Sequence, residues 1–137
     1  MTINANRPNN STKGLTREKL EEYIFGVMIE LGVPANLKGF KYIGDAIRIT
    51  YYEPMMGARI VDGLYRRIAD EHATTVQCVE HAIRTALKRV DYLRDRSALK
   101  KYFNTVECPP PKRFINTLAD QIRRNYNDDN ANRTLLE

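Results

Sequence analysis

The chain has 137 residues, 22 Lys and Arg against 17 Asp and Glu, a formal charge of +5 and a pI near 9.3. That length supports one domain with a substantial core, and the charge suits an anionic partner without selecting one. No apolar run follows Met1, and no window approaches the roughly 18 apolar residues of a membrane span, so a cytoplasmic protein with no signal peptide is expected. Residues 1–14, rich in Asn and carrying Pro8, Ser11 and Gly14, lack the apolar content of a fold and read as a polar, disordered segment. A first helix is predicted over residues 16–31, with Leu20, Tyr23, Ile24, Val27, Met28 and Leu31 facing inward. Gly32 is a natural stop, and Val33-Pro34 enforces it. Phe40, Ile43, Ile47 and Tyr51 mark a second helix ending before Pro54, and Met55 to Gly57 connect onward.

The pattern from there reads as a helix-turn-helix over about residues 60–91. Its first helix, residues 60–71, carries Ile60, Val61, Leu64 and Ile68 as an apolar stripe. A turn over residues 72–75 leads to a second helix, with Thr74 as cap and Gln77 completing a T-x-x-Q capping box. Val76, Val79, Ile83, Leu87 and Val90 form the inner stripe of this second helix. Gln77, Cys78, His81, Arg84, Thr85 and Lys88 fall opposite, crowding the N-terminal turns where such helices touch base edges. A short helix over residues 97–103 follows, then a loop whose three consecutive prolines hold it extended. Pro111 sits in the first turn of a last helix with Phe114, Ile115, Leu118, Ile122 and Tyr126 on its apolar face. The tail, residues 127–137, is polar and expected to fray. The fold class is therefore all-α: a compact bundle of about six helices over residues 15–126 that contains a helix-turn-helix.

Several segments then carry a wider resemblance. Residues 31–40, LGVPANLKGF, resemble the G-V-P-A-h-h-K-G-aromatic segment that opens the effector domain of the stage zero sporulation protein A family. Tyr42 to Ile47 resemble that family's Y-L-R-E-A-I, and Leu64-Tyr65 with Ile68-Ala69 its L-Y-P-x-I-A. Thr74-Thr75, Val79-Glu80 and Ala82-Ile83-Arg84 match its T-T-x-x-x-V-E-x-A-I-R block. Tyr102-Phe103-Asn104, Phe114-Ile115 and Leu118-Ala119-Asp120 are similar to its closing segments. The likeness spans about residues 18–126. It implies a six-helix effector domain that binds short DNA boxes, often in tandem, and regulates transcription at entry into sporulation. In full-length family members a phosphoacceptor receiver domain precedes it. These 137 residues leave no room for one, and Met1 favours a stand-alone relative over a cut domain.

The expected DNA-binding residues are Lys38, Thr75, Gln77, Cys78, Glu80, His81, Arg84, Thr85 and Lys88. The family typically places S-R before Val79, Arg after Glu80, and His after Ala82-Ile83-Arg84. Those places here hold Gln77, Cys78, His81 and Thr85. An arginine fork on guanine discriminates by about 1–3 kcal/mol, which cysteine cannot reproduce, so a changed box preference follows. Gln77 can pair with adenine, and Glu80 either accepts from cytosine or pairs with an arginine of its own helix. Gly32 and Gly39 either bring backbone to a phosphate beside Lys38 or simply end and bend helices. Cys78 reads as a small groove-facing residue before a redox switch.

Beyond the second helix, Arg89, Arg94, Arg96, Lys100 and Lys101 extend a basic run, with Arg66, Arg67, Lys112, Arg113, Arg123 and Arg124 on neighbouring helices. The expected partners are double-stranded DNA, a second copy on an adjacent box and RNA polymerase. The last helix and its proline loop are the expected pairing surface. The alternative is a protein-interaction module that has lost specific DNA reading and modulates a partner or a full-length relative. No Gly-rich phosphate loop or nucleophile-base pair points to an enzyme, and no cofactor is expected. Cys78 and Cys108 form no C-x-x-C pair. They also have no zinc-finger spacing to His72 or His81, so no metal is expected.

Overall fold

Among the described residues six α-helices make up the fold: α1 (Arg17–Leu31), α2 (Lys38–Tyr52), α3 (Arg66–Glu71), α4 (Val76–Val90), α5 (Ser97–Phe103) and α6 (Pro111–Leu136). A 3₁₀ turn (Pro54–Ala58) and a π turn (Ile60–Tyr65) link α2 to α3. The structure, a computed structural model, describes residues 15–136, with side chains for residues 15–126, and contains no strand among them. The polar segment expected over residues 1–14 lies outside the described residues. Among those described, no helix is long and apolar enough to cross a membrane.

Both ends of α1 have a local cause. Thr16 caps α1, its hydroxyl accepting from the Lys19 amide at 3.1 Å. The helix stops at Gly32, whose φ of 85° suits a residue without a Cβ. Val33 N–H then reaches back to Met28 O at 3.0 Å, while its side chain is buried. Leu20, Ile24, Val27, Met28 and Leu31 form the inner face as expected. Tyr23 does not join them: it is 41% exposed, and its hydroxyl accepts from Asn125 Nδ2 at 3.3 Å. At the margin of the stripe its phenol stays at the surface with a polar partner.

α2 is the central element, packed against α1, α4 and α6. It buries Gly39, Tyr42, Ile43, Ala46, Ile47, Ile49 and Thr50. Phe114, Ile115, Leu118, Ala119 and Ile122 of α6 complete the core beside it. The last helix runs on to Leu136, past the end expected near Tyr126.

The first helix of the helix-turn-helix differs from the expected regular stripe. Gly63 and Leu64 both donate their amides to Arg59 O at 2.9 Å, so the chain enters through a wider i→i+5 turn. That winding places Leu64 and Tyr65 inside together and leaves Val61 42% exposed. α3 then ends in two bonds, Thr74 N–H to Ala69 O at 2.9 Å and Ala73 N–H to Asp70 O at 3.4 Å. This Schellman arrangement needs a left-handed residue, and Ala73 supplies it at φ 53°. An L-residue is strained there by about 1–2 kcal/mol, while glycine loses about 0.5–1 kcal/mol more chain entropy on folding. Because Ala73 is exposed, Ala73→Gly should raise stability by about 0.5–1 kcal/mol, read as a higher urea midpoint at unchanged slope.

Candidate nucleic-acid interface

Thr75, not Thr74, caps α4. Its hydroxyl accepts from the Cys78 amide at 3.1 Å, and its backbone is extended at φ −108° and ψ 159°. Thr74 is held by the turn instead, its amide bonded to Ala69 O, so the helix starts one residue later than the capping box predicts. Replacing such a cap by Ala costs about 1 kcal/mol. Inside, Val79, Ile83, Ala86, Leu87 and Val90 are buried. Gln77, Cys78, His81, Arg84, Thr85 and Lys88 are all exposed, as expected, and Thr75 is exposed at the helix start.

The position of this face is set by Gly39. A Cβ there would lie 2.1 Å from Ala82 O and 2.8 Å from Ala86 Cβ, so α2 crosses α4 backbone against backbone. Neither reading offered for this glycine included that contact: Gly39 lies inside α2 and serves close helix packing. Gly32 is a helix stop, and a Cβ on it would also run into Leu93 Cδ1 at 2.1 Å. The crossing also brings Lys38, the exposed first residue of α2, near the start of α4, where its charge is felt by Cys78.

Glu80 pairs with Arg84 on its own helix at 3.2 Å, one of the two roles the sequence left open. Such exposed i,i+4 pairs stabilise by about 0.3–0.5 kcal/mol, so Arg84, 63% exposed, is oriented without being locked. Beneath them lies Tyr65, which is 2% exposed. Burial, with the Glu80 charge adding to it, pushes its phenol up to about 12. Farther along the helix, His81, Arg84, Thr85 and Lys88 face a hollow of about 340 Å³ closed by Asp91, Cys108 and Pro109.

The basic run predicted beyond α4 divides into two groups. Arg96 is used internally: it donates to Asp91 Oδ1 at 3.2 Å, to Asp91 O, and to Val106 O at 2.9 Å. Lys101 pairs with Glu30 at 2.9 Å, and Arg67 with Glu53 at 2.6 Å. Arg123 donates to Thr50 O and Tyr51 O at 3.1 and 3.2 Å, and both Arg123 and Arg124 pair with Asp120. Among the described residues, Lys38, Lys88, Arg89, Arg94, Lys112 and Arg113 have no ion pair. Sequence reasoning missed this division because Glu30, Glu53, Thr50 and Tyr51 lie far along the chain from the cations they hold.

The two cysteines sit in opposite surroundings. Hydroxyl hydrogen bonds from Thr75 and then Thr74 hold the exposed Cys78 thiol below its ordinary value. Burial, followed by the Asp91 charge, pushes Cys108 up to about 12. The thiolate is the nucleophile, so Cys78 should react rapidly with a disulfide reagent near pH 8 and Cys108 only slowly. Loss of the fast phase in Cys78→Ser would confirm the assignment; loss of the slow phase instead would reverse it.

A helix-turn-helix with an exposed polar outer face and flanking unpaired cations is an arrangement suited to duplex nucleic acid. Residues 24–122 match the family described as Sporulation initiation factor Spo0A C terminal. The match covers most of the chain, including the central helix and both helices of the motif. The chain belongs to the Sporulation initiation factor Spo0A C-terminal family, a family of DNA-binding effector domains that regulate transcription.

Proposed function

We propose that this chain is a sequence-specific transcription regulator that lays α4 in the major groove and prefers a box different from the one usual for its family. The observation that carries this reading is the outer face of α4. Gln77, Cys78, His81, Arg84, Thr85 and Lys88 are exposed together, on a helix whose other side is anchored in the core. Arg84, oriented by Glu80, is the residue suited to a bidentate contact with guanine. Gln77, in the first turn, suits adenine, and His81 offers one further contact. Glu80 then acts chiefly by positioning Arg84 rather than by accepting from cytosine. Thr75 and Cys78 are small residues at the helix start, where the backbone can approach the duplex closely. Lys38, Lys88, Arg89, Lys112 and Arg113 are the cations suited to phosphates.

A single domain of this size buries little DNA surface, so a second copy on an adjacent box belongs to the proposal, and RNA polymerase is the partner suited to a bound regulator. The alternative, a module that engages a protein and no longer reads DNA, predicts no binding at moderate salt.

Selection from a random duplex library across a salt series tests the reading. A selected motif distinct from the usual family box is expected, with log affinity falling at a slope of about −5 against log salt if six phosphates are neutralised. Lys38→Ala and Lys88→Ala should each flatten that slope by about 1, while Arg84→Ala should cost about 1–3 kcal/mol and relax one base position. Recovery of the usual box as the top sequence would remove the altered preference. Gly39→Ala should destabilise the fold by about 1–3 kcal/mol through overpacking and weaken DNA binding as well, because α4 must move off α2.

A further inference from the structure

Behind the helix-turn-helix, on the side held by α2, three metal-ligating side chains converge. Asp45 of α2, Glu71 at the end of α3 and His72 in the turn each bring a ligand atom within 4.8 Å of the other two. His72 Nε2 lies 2.7 Å from Asp45 Oδ2, and the Tyr42 ring packs edge-on against the imidazole at 5.2 Å between centroids. The Asp45 and His72 side chains are only 19% and 22% exposed, so neither is freely solvated. We propose that Asp45, Glu71 and His72 bind a divalent transition-metal ion, zinc being the best chemical match, which ties α2 to the turn ahead of the recognition helix.

The donor set of one imidazole and two carboxylates suits zinc, which takes His nitrogen and carboxylate oxygen at about 2.0–2.2 Å. Ligand atoms around a tetrahedral ion at that radius stand about 3.4 Å apart. The His72–Asp45 pair therefore opens slightly on binding, and Glu71 closes in. Glu71 can make that movement. Its side chain is 42% exposed, and its carboxylate has only loose ion pairs, with Arg48 at 4.0 Å and Arg67 at 3.7 Å. No hydrogen bond from a described side chain holds it.

Glu21, Asp45, Glu53 and Glu71 face Arg17, Arg48 and Arg67 in one linked network, four carboxylates against three guanidiniums. Lys41, which shares a surface hollow with Asp45 and Arg48, has no ion pair among the described residues. Arg48, 3.5 Å from Asp45, is the group an incoming ion displaces from that carboxylate. Three protein ligands leave a position for water, which makes the site exchangeable rather than permanently filled. Because His72 lies three residues before the Thr75 cap, an ion here would stiffen the turn that aims α4. The site is independent of which DNA sequence is read.

The test is zinc chloride titrated into the full chain after stripping with a chelator, followed by calorimetry and melting temperature. One ion per chain and a raised melting temperature are expected. Asp45→Asn, Glu71→Gln and His72→Gln should each weaken binding by about tenfold or more. Glu71→Gln removes a carboxylate that makes no hydrogen bond among the described residues, so it probes the site without unsettling the metal-free fold. Cys78 and His81, exposed on α4, are competing zinc ligands, and a Cys78→Ser, His81→Ala variant should bind zinc, though not DNA, as the parent does. Absence of heat and of a melting shift would overturn the proposal. So would binding unchanged in the three site variants, or binding abolished in the α4 variant.

Discussion

The arrangement of this domain depends on the contact between α2 and α4 at Gly39. Helices usually pack 8–10 Å apart because side chains keep their axes separated. Here one position has no side chain, and the α2 backbone meets the Ala82 carbonyl and Ala86 directly. The close crossing lets one helix serve two purposes. α2 is the centre of the core, and its first residue, Lys38, stands beside the start of α4. The outer face of α4 is therefore referenced to the rigid centre of the molecule rather than to a loop, which suits a surface that must present several side chains in fixed register.

A second constraint is electrostatic. The chain has a modest excess of positive charge, and much of its basic content is spent holding the fold together. Arg96 gathers Asp91 and Val106 around the end of α4, Arg123 closes the end of α2, and Lys101 ties α5 to α1. The cations left without partners among the described residues include Lys38, Lys88, Arg89 and Arg94. Net charge alone would overstate the positive surface available to a partner, since a paired guanidinium projects a much weaker field than a free one.

The turn of the motif shows how local strain and tertiary contact combine. Ala73 takes a left-handed conformation that a glycine would adopt more easily, and the two bonds of the Schellman arrangement hold it there. His72, next to it, is drawn to Asp45 across 27 positions of sequence. The connection between the two motif helices is thus fastened at both of its neighbouring residues, and the angle at which α4 leaves it is well defined.

Much of this was readable from residue order, because it depends on neighbours a few positions apart. Apolar residues at steps of three and four located the helices, Gly32 and Pro111 marked a stop and a start, and the outer face of α4 followed from the same periodicity that defined its inner face. The family motifs extended that reading to function. Periodicity was less informative where winding or capping departed from the regular helix: the π turn exposed Val61, and the bond from Thr74 to Ala69 moved the cap to Thr75. What only the tertiary structure decided were the relations between residues distant in the chain. Gly39 against Ala82, Arg123 against Thr50 and Asp45 against His72 are side-chain and backbone approaches across 27 or more positions. Sequence spacing constrains contacts only along a single helix or turn, so these pairings, and the division of cations into structural and free, arise from how the helices pack.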